Sequence, residues 1–274
     1  VSQVEQGLNE CEFLVCQEIF HNETTRYADV VLPATCFAEK DGVFTNSDRR
    51  VQRVRKAVDP PGEAREDWKV ICELARRAGY PMPHYGGVDE VYDEMAALAP
   101  KFAGISHERL EHRPLGLQWP VPEADHPGTP TLHLGGPAIG KAPFQAVEYR
   151  PSAELPDDGY PLVLSTGRTL YHYNAATQTR RESGPVLKQR RNFIEVHRRD
   201  ARKLGVESGD PVRVISRRGE VDAEVWVSPR VRPGCVWMPM HFAESKANLL
   251  TNDAGDAITG TGEYKVCAVR IETP

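Results

Sequence analysis

The chain has 274 residues, a length that suits one large domain or two ordinary ones, and we expect two. With 40% hydrophobic and 27% charged residues it has the composition of a soluble globular protein, and no run approaches the roughly 18 to 20 apolar residues of a membrane helix, which excludes a membrane span. The net charge of −5 is mild, so it favours neither a nucleic-acid binder nor a membrane-surface protein.

The first residues, Val-Ser-Gln-Val, include neither an initiator Met nor a signal-peptide pattern, so we expect the chain to be a piece of a longer protein. The cysteines contain no Cys-x-x-Cys pair, and a chain of this length needs no disulfides to fold. We therefore expect buried free thiols in a reducing compartment, which favours a cytoplasmic location. The cysteines are Cys11, Cys16, Cys36, Cys72, Cys235 and Cys267.

The first half of the chain has the pattern of an α/β domain. Apolar runs within residues 12–20 and 28–34 predict short buried strands of an α/β sheet. Apolar residues at helical spacing predict amphipathic helices over residues 65–78 and 88–99. Residues 39–52 combine a turn, small polar residues and paired arginines, a pattern that a plain charged loop explains equally well.

A segment rich in Pro and Gly, residues 114–158, shows no helical or strand period and predicts a link between two domains, residues 1–113 and 159–274. Beyond the link, short β-type runs separated by Gly and Pro turns predict a closed β-barrel, with a short helix over residues 199–204. The segment Arg217-Arg218-Gly219-Glu220 predicts a tight hairpin. The predicted strands are residues 161–166, 211–216, 221–228, 235–240 and 264–272.

The motif Ser165-Thr166-Gly167-Arg168-Thr169 directly follows an apolar strand. Hydroxyls, free backbone N–H groups and an Arg at a strand end form a cradle for phosphate oxygens, although an ordinary turn uses the same residue types. His172 has no second His or carboxylate three or four residues further on, so we expect no metal ligand in the barrel. Further planar and donor side chains follow the motif: Tyr171, His172, Tyr173, Asn174, Thr177, Thr179, Arg180 and Arg181.

A second polar cluster, Asn248 with residues 251–253, offers amides that could bind the hydrogen-bonding edge of a heterocycle, and a solvated loop with capping residues is the alternative. The sequence contains no Gly-x-Gly-x-x-Gly, Walker, Gly-x-Ser-x-Gly or His-Glu-x-x-His motif. Nothing therefore supports nicotinamide binding, nucleotide hydrolysis, serine hydrolysis or zinc hydrolysis.

Several segments resemble formate dehydrogenase large subunits of the dimethyl-sulfoxide-reductase superfamily. QEIFHNETTRYADVVLPA, AEKDGVFTNSDRRVQR and EDWKVICELARRAGYPM are similar to the late part of the molybdopterin domain, and YPLVLSTGRTLYHYNAATQTRR, DARKLGVESGD, SRRGEV, ANLLTNDA and GEYKVCAVRIE to the terminal barrel. The resemblance covers nearly the whole chain except the link. It implies an α/β segment that ends a molybdopterin oxidoreductase domain, followed by a six-stranded double-psi-type barrel that binds the molybdopterin dinucleotide.

The family implies bis-molybdopterin guanine dinucleotide with molybdenum or tungsten, used for the two-electron oxidation of formate to carbon dioxide. Its metal-ligating Cys or selenocysteine and its iron–sulfur cysteines lie upstream of anything in this chain, so the chain should bind cofactor but not catalyse alone. The implied partners are the amino-terminal part of the subunit, in the same or a separate chain, and electron-transfer subunits. Alternatives are a related nitrate-reductase-type molybdoenzyme and a non-catalytic cofactor-binding or scaffold module.

The resemblance implies two roles for Arg168, which binds the cofactor and steers the formate anion. We expect a broad polar trough, because burying Arg168, His172 and Asn248 without partners would be costly. Side chains consumed in internal hydrogen bonds would contradict that expectation. The cofactor-binding residues that the resemblance implies are Thr166, Gly167, Arg168, Thr169, His172, Asn174, Asn248, Tyr264 and Lys265.

Overall fold

The computed structural model describes residues 4–137 and 139–274, which divide into two compact units. The barrel unit consists of Val147–Pro274 together with residues 4–14 and Asn22–Ala28, and the α/β unit consists of Val15–His21 and Asp29–Ala146. The division into domains 1–113 and 159–274 with a link between them stays a prediction.

The helices and strands are short, as expected for small layered units. The helices are α1 (Val4–Asn9), α2 (Asp67–Arg77), α3 (Val88–Leu98), α4 (His107–Glu111), α5 (Ser183–Lys188) and α6 (Arg198–Leu204). The strands are β1 (Val15–Glu18), β2 (Val30–Pro33), β3 (Gly42–Thr45), β4 (Arg50–Val54), β5 (Leu117–Gln118), β6 (Leu162–Gly167), β7 (Phe193–His197), β8 (Pro211–Ile215), β9 (Glu220–Ser228), β10 (Cys235–Pro239) and β11 (Cys267–Glu272).

In the α/β unit, β1 and β2 form a two-stranded parallel sheet with Val15 opposite Val30. Both strands were predicted, but the expectation that they are buried is wrong, because Val15 and Val30 are exposed and the remaining positions are at most half-buried. Parallel sheets in proteins are usually covered on both faces, so their apolar runs carry no sign of which neighbours are present. The prediction failed for that reason.

A three-stranded antiparallel sheet, β3-β4-β5, includes much of residues 39–52 and a part of the predicted link. The turn between β3 and β4 is held by Asn46, whose side-chain oxygen accepts from the N–H of Arg50 at 2.9 Å. A plain charged loop is therefore the wrong explanation for these residues. The charged side chains conceal the strand signal, since only Val51 among the β4 residues is fully buried.

The two helices predicted in this half are confirmed, as α2 and α3 begin and end within two residues of the expected bounds. The core of the α/β unit packs α3 and α4 against β4 and β5. Its fully buried apolar members are Val51, Tyr92, Ala96, Ile105, Leu110, Leu117 and Val121.

Residues 117–121 lie within the predicted link, yet Leu117 and Val121 belong to that core. The guanidinium of Arg49 holds the next part of the link by donating to the carbonyl oxygens of Thr129 at 3.0 Å and Pro130 at 2.9 Å. A stretch without helical or strand period can thus still pack, because single apolar residues and carbonyl groups are enough for the contacts.

Six strands of the barrel unit close into a barrel in the order β10-β6-β11-β8-β9-β7. Two neighbouring pairs, β10 with β6 and β7 with β9, are parallel, and the other pairs are antiparallel. The six-stranded barrel expected from the sequence is confirmed. The predicted hairpin is also confirmed, since Ser216 donates its N–H to the carbonyl of Gly219 at 2.9 Å between β8 and β9.

Alternating side chains fill the barrel. On β6, for example, Leu162, Leu164 and Thr166 are buried while the residues between them are partly exposed. One strand, β7, was not predicted from the sequence, because its run of five residues contains Glu195 and follows a basic segment. Glu195 is nevertheless buried and is paired with Arg230 at 2.8 Å.

All cysteines lie in the described residues and are free thiols, as predicted. Their burial was predicted less well, since only Cys72 and Cys267 are buried and Cys11 is exposed. Within the described ranges, no helix is long and apolar enough to cross a membrane.

Candidate functional site

The candidate site begins where β6 ends. Because β6 and β10 are parallel neighbours, with Pro239 opposite Gly167, the residues that follow the two strands leave the barrel at the same edge. The hydroxyl of Thr166, buried at this edge, donates to the carbonyl oxygen of Tyr264 at 2.8 Å, and the ammonium of Lys265 donates to the carbonyl oxygen of Thr166. The structure thus brings Thr166, Tyr264 and Lys265 together, although Tyr264 follows Thr166 by 98 residues in the sequence and Lys265 by 99.

Gly167 lies against the indole of Trp237. A Cβ atom at this position would stand 2.7 Å from the indole Nε1 atom, a distance that real Cβ contacts do not show. Glycine therefore permits the close approach of β6 and the Trp237 ring.

The next residues form a compact loop, which we name the cradle loop (residues 168–174). Arg168 is exposed and donates from its guanidinium to the side-chain oxygen of Asn174 at 2.7 Å. His241, which follows β10, accepts from the N–H of Thr169 at 2.8 Å and bonds the carbonyl of Asn174 at 2.5 Å. Three predicted site residues, Arg168, Thr169 and Asn174, are thereby held in one loop.

His172 does not face an open trough, so that part of the expectation is wrong. Its side chain is 2% exposed, and both ring nitrogens are used inside the protein. Nδ1 bonds the hydroxyl of Thr179 and Nε2 bonds the carbonyl of Gln189, each at 3.0 Å. The ring also packs against His241 and Phe242. The sequence could not show that these partners would consume the imidazole.

Asn248 lies on a short 3-10 turn, Ala247–Leu249, and is half-buried. Its carbonyl accepts from the hydroxyl of Thr251 at 2.9 Å, and among the described residues no hydrogen bond joins its side chain to the cradle loop. The neighbouring Asn252 is buried and donates to the carbonyl of Val266 at 3.0 Å. The structure therefore does not join Asn248 to the other predicted residues.

Beside the cradle loop lies a cavity of about 1240 Å³, which we name the trough. One wall is aromatic: Phe193 on β7 packs against Trp226 on β9, with ring centroids 5.0 Å apart, and against Trp237 on β10 at 5.7 Å. The cradle loop and the segment that follows α5 also line the cavity. The trough is defined by six of its lining residues: Arg168, Thr169, Gln189, Phe193, Trp226 and Trp237.

Positive charge dominates the lining of the trough. The two carboxylates in it are already paired, Glu195 with Arg230 at 2.8 Å and Glu224 with Arg191 at 3.8 Å. The side chains of Arg168, Lys188 and Arg190 also line the cavity and form no ion pair with any described residue. The excess of cations suits an anionic ligand.

Two residues that line the trough each have one buried polar atom without a partner within the described part of the chain. The hydroxyl oxygen of Thr169 and the amide nitrogen of Gln189 are buried without a hydrogen bond. Burying such groups without partners costs about 1 to 3 kcal/mol each, so a rearrangement of these side chains that gave them a polar partner would be favourable. The cations and the aromatic wall fit a ligand that is both anionic and partly planar.

The cradle loop was predicted from the sequence, but the rest of the trough was missed. The basic run Lys188-Gln189-Arg190-Arg191 was a signal that could have been used. The aromatic wall had none, because Phe193, Trp226 and Trp237 come from three strands that only the barrel topology brings together. In residues 4–137 and 139–274, no group of three or more His, Cys, Asp or Glu side chains is arranged to hold a metal ion.

Two family models match the chain. Residues 162–268 match the molydopterin dinucleotide binding domain, and residues 2–77 match the molybdopterin oxidoreductase family. The first range contains the whole cradle loop and the trough. These matches confirm the resemblance on which the sequence prediction rested.

Similar proteins include the F420-dependent formate dehydrogenase 2 subunit alpha of Methanococcus maripaludis, which is 47% identical over 99% of this chain and 40% of its own length. A nitrate reductase of Symbiobacterium thermophilum is 39% identical over 95% of this chain and 38% of its own length. The chain thus spans about 40% of the length of the curated relatives it matches.

Among solved structures, acetylene hydratase from Pelobacter acetylenicus has a similar fold, with a TM-score of 0.73 over 98% of this chain and 41% of the other. The two sequences are 16% identical, so this likeness concerns the fold alone.

Proposed function

We propose that this chain, in which residues 162–268 form a molydopterin dinucleotide binding domain and residues 2–77 belong to the molybdopterin oxidoreductases, is the cofactor-binding carboxy-terminal part of a formate dehydrogenase large subunit. The observation that carries the proposal is the trough beside the cradle loop, which is lined by cations without an ion pair and by an aromatic wall. We propose formate as the substrate because a relative at 47% identity is named a formate dehydrogenase subunit.

The chain's own residues would bind and orient the cofactor. Arg168, with the Thr169 hydroxyl, would hold an anionic group, and Arg168 would also attract the formate anion. Thr166, Tyr264 and Lys265 would border a pterin from the neighbouring edge. Gly167, His172, Asn174 and Asn248 complete the proposed set, with His172 acting through the shape of the loop.

When bound, bis-molybdopterin guanine dinucleotide would supply a molybdenum or tungsten centre that accepts two electrons from formate. The residues in the trough fit the dinucleotide because they offer charge-assisted donors and ring surfaces. In this proposal the metal ligand and the iron–sulfur clusters lie in the remaining part of the subunit, so the chain does not catalyse alone.

The amino-terminal part of the subunit is the first proposed partner, in the same or a separate chain. A two-stranded parallel sheet is rarely stable in isolation, and β1 and β2 leave apolar residues such as Val15 and Val30 exposed. Ile71 and Leu74 on α2 are more than half exposed as well. Electron-transfer subunits are the second proposed partner, since the relative at 47% identity is named a subunit alpha. A cytoplasmic location accords with the free thiols.

A nitrate-reductase-type molybdoenzyme is the second candidate, because a relative at 39% identity is named a nitrate reductase. Both candidates predict the same cofactor in the trough and differ in the substrate. A scaffold module without bound cofactor is the non-catalytic alternative.

The proposal is tested by Arg168→Ala in the complete enzyme, with Arg202→Ala on the exposed face of α6 as the matched control. Loss of one charge-assisted contact should lower formate turnover about tenfold or more and reduce the pterin and metal that copurify with the protein. Pterin fluorescence after oxidation and metal analysis measure the content. Assays with formate and with nitrate distinguish the two substrates.

Wild-type protein without pterin would refute cofactor binding and leave the scaffold alternative. Nitrate reduction without formate oxidation would replace the first candidate by the second. If Arg168→Ala behaves like Arg202→Ala in content and turnover, the role given to Arg168 is wrong.

A further inference from the structure

His241 is a buried histidine at the edge of the barrel to which the sequence pattern assigned no role. It follows β10, is 1% exposed, and meets the cradle loop because β6 and β10 run parallel. The backbone continues this pairing for one residue beyond the strands, with the N–H of Met240 donating to the carbonyl of Gly167 at 3.1 Å. His241 is therefore delivered to the loop by regular strand geometry.

Both ring nitrogens of His241 are bonded to the backbone of the loop. The N–H of Thr169 donates to Nε2 at 2.8 Å, so Nε2 must be an unprotonated acceptor. The carbonyl of Asn174 can only accept, so Nδ1 must carry the proton and donates at 2.5 Å. Only the neutral imidazole with its proton on Nδ1 satisfies both bonds, and this one side chain joins the two ends of the loop.

The loop needs such a connection, because its backbone is not that of a regular turn. Asn174, the last residue of the loop, and Ala176, two residues beyond it, adopt positive φ angles of 43° and 58°, which side-chain-bearing residues seldom adopt without support. The side chain of Asn174 in turn accepts from the guanidinium of Arg168 at 2.7 Å. The direction of Arg168 therefore depends on where His241 places Asn174.

We propose that His241 is a positioning residue, which through its two backbone hydrogen bonds fixes the cradle loop and so aims Arg168 and Thr169 at an anionic ligand in the trough. Only the identity of that ligand rests on the proposed function. The fixing of the loop is a property of the chain and can be measured without cofactor.

The same geometry makes the loop sensitive to acid. Burial lowers the pKa of His241, and the nearby His172 and Arg168 lower it further, against the opposing effect of the Asn174 carbonyl. The other charged groups of this region are Arg180, whose guanidinium lies over the Phe242 ring, and its partner Glu244. Protonated Nε2 would face the N–H of Thr169, donor against donor. The hydrogen bond from the Thr169 N–H to His241 is thus present at pH values above the ordinary histidine pKa of about 6.5. It is lost as the pH falls through the lowered pKa of His241 in the folded protein.

The test is residue-by-residue amide exchange by NMR on the 274-residue chain, comparing wild type with His241→Phe, His241→Gln and His241→Asn. His197→Phe is the matched control, because the Nδ1 atom of His197 also accepts a backbone N–H, that of Arg199 at 3.1 Å, outside the trough. Amides of Val212 and Val214 in the barrel core report whether a variant still folds.

His241→Phe should exchange the Thr169 amide about tenfold faster, the effect of losing one hydrogen bond, with core amides unchanged. His241→Gln, whose side-chain oxygen can replace Nε2, should restore protection, whereas His241→Asn, which can replace only Nδ1, should not. Wild-type protection of Thr169 should fall at acid pH, and the His241→Gln variant should show no such fall. In the complete enzyme, the pterin content should be high in wild type and His241→Gln and lower in His241→Phe and His241→Asn.

Equal Thr169 exchange in wild type and His241→Phe would overturn the inference, as would equal effects of the Gln and Asn variants or a pH-independent wild type. If the exchange results are as expected while neither His241→Phe nor Arg168→Ala alters pterin content, the positioning role stands and the proposed function of the loop fails. If the core amides show that His241→Phe does not fold, that variant is left out. The His241→Gln variant and the pH profile of the wild type then test the inference by themselves.

Discussion

Two pairs of parallel strands show what closure does for this protein. In the barrel, β6 and β10 each have a second neighbour, and their inward residues such as Leu164 and Met238 are fully buried. In the α/β unit, β1 and β2 form a sheet of only two strands within the described residues, and Val15 and Val30 are exposed. A closed sheet can position a ligand site by its own contacts, whereas the open pair has the pattern of a sheet that is completed by other strands.

The contrast between the two sheets is tested most strongly by the same truncation in each. Leu164→Ala in the barrel should lower the free energy of unfolding by about 3 to 5 kcal/mol, since it leaves a cavity in a closed core. Leu32→Ala in β2, where the leucine is only half-buried, should cost about 1 kcal/mol. Chemical denaturation, monitored by amide exchange in each unit, measures the cost of each substitution. Equal costs would contradict the contrast between closed and open sheets.

A smaller effect is expected where the end of the predicted link meets the barrel. Glu154 is nearly buried and accepts from the guanidinium groups of Arg217 at 2.6 Å and Arg218 at 2.7 Å. Burial alone would raise the pKa of Glu154, but these hydrogen bonds and one from the backbone of Ala268 lower it overall.

Glu154→Gln should therefore cost about 1 to 2 kcal/mol of barrel stability at neutral pH. Because the folded pKa is lowered, this stabilisation is present above the ordinary glutamate pKa of about 4.3 and is lost as the pH falls through the folded value. Denaturation at neutral pH and at a pH of about 3, below that ordinary pKa, measures the change. The difference between wild type and variant should shrink in acid, and a constant difference would show that the charge is not responsible.

The resemblance, the barrel and most of its strands could be predicted because their signals are local. The run before Ser165 is apolar, Gly219 marks a hairpin, and the residues after β6 carry the cradle loop in one stretch. The trough could not be predicted, since Phe193, Trp226 and Trp237 meet only through strand order. His241 was missed for the same reason, because its partners Thr169 and Asn174 lie about seventy residues away in sequence.

The smallest effect on the chain itself is expected on α2. Replacing Ile71 and Leu74 by Ser should change the unfolding free energy of the 274-residue chain by less than about 0.5 kcal/mol, because both side chains are more than half exposed. The same double variant should weaken association with the amino-terminal part of the subunit about tenfold or more, with the exposed Arg77→Ser as control. Coexpression and copurification measure the association. Unchanged association would show that this face is not covered by that part.

The central claim, that the trough beside the cradle loop holds the anionic cofactor, is tested most directly by amide exchange on the complete enzyme with and without its pterin dinucleotide. We expect slower exchange on cofactor loading in residues 166–174 and 188–193, because both segments line or border the trough. Unchanged exchange in these segments, with protection appearing only elsewhere in the loaded enzyme, would contradict the account.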